Sequence, residues 1–204
     1  MDWQRIVYFL PGIILGLTVH EYCHALCAYK LGDSTARDQG RLTLNPVKHI
    51  DIIGLLFIIF AGFGWAKPVQ FNPENLRNLR RDKALIAAAG PLSNLIIGIL
   101  LCLFLSFMIR SFQFTDFISN LYLVLYAAAS INFGLFVFNL LPIPPLDGSH
   151  IIFSGLNISY ETEIKVRKLG LPVLFVILIV QNHFNITIIP IGIIINALMR
   201  LFLF

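Results

Sequence analysis

Charge is what this chain most conspicuously lacks. Of its 204 residues, 13% are Asp, Glu, Lys or Arg, about half the roughly 25% usual in a soluble domain. Apolar residues make up 57% and mean hydropathy is +0.81. That balance argues against a soluble globular enzyme and excludes a disordered chain or a coiled coil. Cysteine is also scarce: three residues in apolar surroundings make no disulfide framework. Internal repeats and low-complexity tails are absent. No A-x-A cleavage site follows the first apolar run, so a secretory signal peptide fits poorly. Acidic residues are scarcer than basic ones, 11 against 15, giving a formal charge of +4 and a pI near 9.1. In a membrane protein such an excess marks cytoplasmic loops, and no nucleic-acid partner is expected.

What is present is a series of long uncharged stretches. Residues 84–109, 117–146 and 169–199 carry no charge, and each exceeds the roughly 20 residues needed to cross a bilayer. Residues 185–190 are the expected break in the last, leaving one span plus a shorter helix, or two tight spans. Residues 6–31 are also long enough, interrupted by Glu21 and His24. The run 52–66 is shorter and suits either a short span or a re-entrant dip. Basic residues favour the dip. Lys30, Arg37, Arg41 and Lys48 precede it, and Lys67, Arg77, Arg80, Arg81 and Lys83 follow it. If the run returns, these share one face with Lys165, Arg167 and Lys168, while Arg110 stands alone opposite. The N-terminus then lies outside the cytoplasm. Alternation in residues 40–44 and 65–71 predicts short strands flanking the dip, the second an edge strand because of Pro68. Residues 160–168 read as an interfacial helix or loop.

The strongest local signal is His20-Glu21-Tyr22-Cys23-His24. On a helix, positions four apart face the same way, which suits two ligands of a tetrahedral Zn²⁺. Glu21 points to one side, within reach of a water rather than of the metal. The bland alternative is a buried polar cluster bonded to a neighbouring helix. Ionisable groups at membrane depth are costly, however, and usually functional. A catalytic zinc keeps three protein ligands. Asp147 is the natural third, since Pro142, Pro144 and Pro145 bar a regular helix before it and the chain must turn at Asp147-Gly148. Asp147 also suits an ordinary helix cap. Cys27, seven residues after His20, is a rival ligand on the same helical face, although one helix supplying all three is strained. Cys23 and Cys102 suit small buried hydrophobes. Asn94, Asn132 and Asn139 lie at membrane depth, either as interhelical bonds or as donors to substrate. Asp51 suits a cap for the segment beginning at Ile52, His49 lies at the mouth of the dip, His150 follows the turn, and His183 reads as structural.

Four separated elements carry a resemblance. They are His20-Glu21-x-x-His24, the stretch from Leu44-Asn45-Pro46 to His49-Ile50-Asp51, Gly90-Pro91-x-x-Asn94, and Asn139-x-x-Pro142-x-Pro144-Pro145-Leu146-Asp147-Gly148. In this order, over roughly residues 6–155, the chain resembles the site-2 protease family of intramembrane zinc metalloproteases, peptidase family M50. The resemblance implies an all-α polytopic membrane protein. Its parts are a three-helix catalytic core, a membrane-associated β-hairpin or re-entrant segment, and one or two further C-terminal helices. A single domain over 1–204 is expected, with a core at 6–155 and a helical region at 156–204. The remaining length fits no PDZ or CBS module, as in minimal members.

By the same resemblance, one Zn²⁺ per chain is held by His20, His24 and Asp147. Glu21 is the catalytic base, and Asn94 and Asn139 line the substrate cleft. The implied partners are the lipid bilayer and membrane proteins whose transmembrane helices are cut. The expected location is the cell membrane, multi-pass, with the N-terminus outside and the active site towards the cytoplasm. The competing reading is a non-proteolytic protein of the same fold that binds membrane helices or handles metal. An intact Glu21 argues against it, since a pure metal site needs no base there. A small transporter is disfavoured by the absence of paired half-repeats.

Overall fold

The computed structural model describes residues 3–203, apart from 62, 63, 114, 157, 159, 185 and 186. Its described elements are α1 (Trp3–Lys30), α2 (Thr35–Asp38), α3 (Ile52–Ala61), α4 (Leu79–Ser111), α5 (Asp116–Asn139), α6 (Asp147–Gly155), α7 (Tyr160–Phe184) and α8 (Ile191–Leu203). Among the described residues, three stretches are long and apolar enough to cross a membrane: Ile6–Lys30, Leu79–Ser111 and Asp116–Asn139. They pack on one another as the expected three-helix core, with α6 against α4 and α8 against α5.

Local chemistry sets the ends of these helices. Asn78 caps α4 by accepting from the Arg81 N–H, and Thr115 caps α5 by accepting from the Ile118 N–H. Asp82 and Asp116 sit in the first turns, and Arg110 in the last turn of α4, where each complements the helix dipole. Helix α5 stops at Asn139, just before the prolines that cannot continue it.

Helix α4 shows how the bundle is turned inside out relative to a soluble one. Its inner face carries Gly90, Asn94, Gly98, Cys102 and Leu105, all buried. Its outer face carries Leu92, Ile96, Leu100, Leu103 and Phe107, all exposed. Small residues let the helices approach closely: Gly98 of α4 lies against Phe133 of α5, and Gly12 of α1 against Ala128 of α5. Farther along, Cys102, Leu105, Phe133, Met199 and Leu203 form an apolar cluster that seats α8.

The expected β-hairpin is corrected. Among the described residues there is no strand, only one isolated antiparallel bridge between Ile50 and Ala66. Gly40 adopts a left-handed conformation (φ 68°) that turns the chain out of extension before residues 41–44. Pro68 offers no N–H to a ladder. Helix α3 has 10 residues and extends about 15 Å, short of a bilayer core. The Ile50–Ala66 bridge joins the two ends of the segment, so the chain returns to where it entered. Asp51 caps it as expected, accepting from the Gly54 N–H at 2.8 Å.

The C-terminal region makes two helices. Residues 160–168 are not a separate interfacial element but the charged beginning of α7. The break before α8 falls where the sequence indicates.

Candidate active site

Both histidines of the sequence motif face α4. His20 Nδ1 lies 2.7 Å from Asn94 Oδ1, and His24 Nδ1 lies 2.7 Å from the Ile86 carbonyl. Each acceptor is an oxygen, so each Nδ1 carries the proton and donates it. That fixes the tautomer and leaves both Nε2 atoms as bare lone pairs. These two atoms lie 3.0 Å apart. Gly90 makes the approach possible, because a Cβ there would fall 2.4 Å from His24 Nε2 and 2.7 Å from His20 Nε2.

Asp147 completes the group. It is the first residue of α6, after a proline-rich turn containing a cis Pro144–Pro145 bond. Gly148 packs so tightly on the Leu140 carbonyl that a Cβ would fall 2.2 Å from it. A glycine is therefore required to fold this turn back onto α5 and aim Asp147 into the bundle. Its Oδ2 lies 3.1 Å from His20 Nε2 and 3.4 Å from His24 Nε2. The same oxygen is buried without a hydrogen-bond partner.

Three unprotonated donor atoms thus converge in a buried place. A bound cation makes such a meeting favourable. Tetrahedral Zn²⁺ with ligands near 2.0–2.1 Å would hold neighbouring ligand atoms about 3.3 Å apart. The observed spacings of 3.0, 3.1 and 3.4 Å bracket that value. The residues therefore fit a zinc ion with one position left open. Among the described residues, His20, His24 and Asp147 are the group that can hold a metal. Cys27 is not in it; it packs instead against the apolar cluster of Ala28, Leu76 and Ile86.

Glu21 is buried beside this group, and its Oε2 accepts the Val69 backbone N–H at 2.9 Å. Asn94 is fully buried, and its three side-chain contacts stay inside the bundle. Its Oδ1 accepts from His20, and its Nδ2 donates to the Gly16 carbonyl and to Asn132 Oδ1. Asn132 in turn donates to the Ala128 carbonyl, so both asparagines knit α1, α4 and α5 together around His20. Asn139 is half-buried at the end of α5 and donates to the Leu135 carbonyl. Two residues that the sequence did not mark for the site lie on the Glu21 side: Arg41, buried and bonded to the Lys67 carbonyl, and Val69 itself. Backbone hydrogen bonds of this kind leave no trace in residue type.

Comparison with known proteins identifies the family. The profile of peptidase family M50 matches residues 112–181, a stretch that includes Asp147. The "Putative zinc metalloprotease YwhC" of Bacillus subtilis (strain 168) is 43% identical over 148 residues, covering 71% of this chain and 67% of that protein. The "Putative zinc metalloprotease Rip2" of Mycolicibacterium smegmatis is 28% identical over 188 residues, 88% of this chain and 69% of that protein. Its namesake in Mycobacterium tuberculosis is 31% identical over 148 residues, 70% of this chain and 54% of that protein. No solved structure matches the chain. The chain belongs to peptidase family M50, and it is a metalloprotease.

Proposed function

We propose that the chain is a zinc-dependent intramembrane endopeptidase, hydrolysing peptide bonds within or near the transmembrane helices of membrane-protein substrates, as in regulated intramembrane proteolysis. The observation that carries this reading is the meeting of His20 Nε2, His24 Nε2 and Asp147 Oδ2 beside a buried Glu21, inside a bundle of apolar helices. His20, His24 and Asp147 hold one Zn²⁺ per chain. When bound, the ion supplies Lewis acidity towards the scissile carbonyl and lowers the pKa of water towards about 7. Glu21 takes the proton of the attacking water and passes it to the leaving amine. Asn94 positions His20, since both of its N–H donors are committed to Gly16 and Asn132. Asn139 is assigned to the substrate cleft.

A transmembrane helix hides its carbonyls in its own hydrogen bonds, so the substrate must unwind. Residues 65–71 lie on the Glu21 side of the site, where the Val69 N–H donates to Glu21, and can line the path of an unwound segment. An apolar groove of about 530 Å³, lined by Leu10, Ile14, Thr18, Val19, Leu44 and Pro46, runs along α1 and ends beside His20 at Val19. Its position suits the helical part of such a substrate in the bilayer. His20 stands about 26 Å from the start of α1 and about 15 Å from its end at Lys30, so the site lies nearer the basic end of the bundle. The positive-inside rule puts that end in the cytoplasm and the N-terminus outside the cell membrane. The chain acts as one membrane domain, with α8 packed on α4 and α5.

The test is cleavage of a purified single-span reporter protein by wild type and by Glu21→Gln. Wild type cuts, while Glu21→Gln retains zinc and is inactive. Cleavage that persists in Glu21→Gln removes Glu21 from the mechanism, and zinc retention without any wild-type cleavage favours a non-proteolytic role.

A further inference from the structure

Arg41 is an anomaly in the fold. It lies in a connection and is only 7% exposed. A guanidinium carries five donors. One of the Arg41 nitrogens, Nη2, donates to the Lys67 carbonyl, whereas Nε is buried without a partner among the described residues. Burying such a cation is costly unless an opposite charge compensates it. Burial holds Arg41 below arginine's ordinary pKa, and the acidic group whose field opposes that shift is Glu21.

What Arg41 grips is connected to Glu21 by a short, stiff path. The Lys67 peptide unit is held from both sides. Its N–H donates to the His49 carbonyl at 2.7 Å, and its C=O accepts from Arg41. His49 is itself fully buried, with Nε2 donating to the Thr43 carbonyl at 2.7 Å. The next residue is Pro68, whose φ is locked by its ring. The one after is Val69, whose N–H donates to Glu21 Oε2. A fixed Lys67 followed by a rigid proline therefore dictates where the Val69 N–H points. That N–H in turn anchors one oxygen of a carboxylate on a flexible side chain.

We infer that Arg41 is a positioning residue for Glu21. Through the Lys67 carbonyl it sets the extended backbone at residues 67–69, and the Val69 N–H then holds one carboxylate oxygen while leaving the other free for proton transfer. This rests on the reading of Glu21 as the base. Arg41 touches neither the metal ligands nor the proposed water, so its loss changes turnover rather than zinc content. A base displaced by about 1 Å loses up to about 100-fold in rate.

The experiment measures zinc content, kcat and KM of the full chain in detergent on a single-span reporter protein. The variants are Arg41→Gln, Arg41→Lys, Val69→Pro and the double variant Arg41→Gln/Val69→Pro. Arg41→Gln keeps the wild-type zinc content, loses between about 10- and 100-fold in kcat, and changes KM by less than about threefold. Arg41→Lys, which keeps the charge and one donor, recovers most of that loss. Val69→Pro removes the N–H and loses a similar factor, and the double variant is no worse than the poorer single one. A kcat for Arg41→Gln within about twofold of wild type, losses that multiply in the double variant, or loss of zinc overturns the inference. If Arg41→Gln does not accumulate, Val69→Pro decides, and wild-type kcat in that variant overturns the inference. Failure of the underlying reading looks different: wild type itself does not cut the reporter, or Glu21→Gln still cuts.

Discussion

Asp147 Oδ2 lies 3.1 Å from His20 Nε2. The proton of His20 is on Nδ1, committed to Asn94. A carboxylate oxygen facing an imidazole lone pair is repulsive in an apolar bundle. With His24 Nε2 added 3.4 Å from the same oxygen, the arrangement is one that a cation stabilises. The site is thus built for a metal by the partners that orient its ligands as much as by the ligands themselves.

Removing the partner of His20 tests that orientation. Asn94→Ala frees the imidazole to rotate and to move its proton to Nε2. Zinc affinity is expected to fall by about 10- to 100-fold, read by competition with a chelating indicator in detergent. Unchanged affinity would show that Asn94 does not hold the tautomer.

Gly90→Ala adds a methyl group at a place where His24 Nε2 would be 2.4 Å away. The helix itself favours alanine over glycine by about 1 kcal/mol. The variant is therefore expected to keep its helical circular dichroism while losing most of its zinc and its cleavage activity. Full zinc content would mean that the imidazoles tolerate displacement.

Acid should loosen the contact between α6 and α7. Arg167 donates to His150 Nδ1 at 2.8 Å and to Glu163 at 2.7 Å, and Lys83 also pairs with Glu163. Burial, then the cations Arg167 and Lys83, push His150 down to about 4 from its ordinary 6.5, with Asp147 and Glu163 pulling the other way. The unfolded chain takes up a proton below about pH 6.5, while the folded one resists until about pH 4. This contribution is complete above pH 6.5 and is lost as pH falls through that window. Thermal unfolding from pH 7 to 4 should fall less steeply in His150→Gln than in wild type. Equal slopes would show that His150 does not carry this dependence.

Much of the site can be read in the sequence because its chemistry is carried by residue type. Two histidines four apart, an acid between them, and an aspartate after a proline-rich turn are intrinsically improbable at membrane depth. Helices α4 and α5 follow from uncharged length, and α1 from an apolar run that Glu21 interrupts. The hairpin did not follow, because alternation in residues 40–44 and 65–71 records side-chain polarity and not backbone pairing. There Gly40 and Pro68 leave one bridge where a ladder was expected. The extended segment is held by Arg41, His49 and Glu21 instead of by a partner strand. Asn94 stands out as polar, but its role depends on what lies opposite, here His20, Gly16 and Asn132.

Zinc K-edge X-ray absorption on the purified chain addresses the ligand set most directly. The account expects a first shell of nitrogen and oxygen at about 2.0–2.1 Å, with the multiple-scattering signature of two imidazoles. In Asp147→Ala the protein oxygen is lost, and zinc is bound more weakly or not at all. A sulfur scatterer at about 2.3 Å, or an unchanged spectrum and zinc content in Asp147→Ala, would contradict His20, His24 and Asp147 as the ligands.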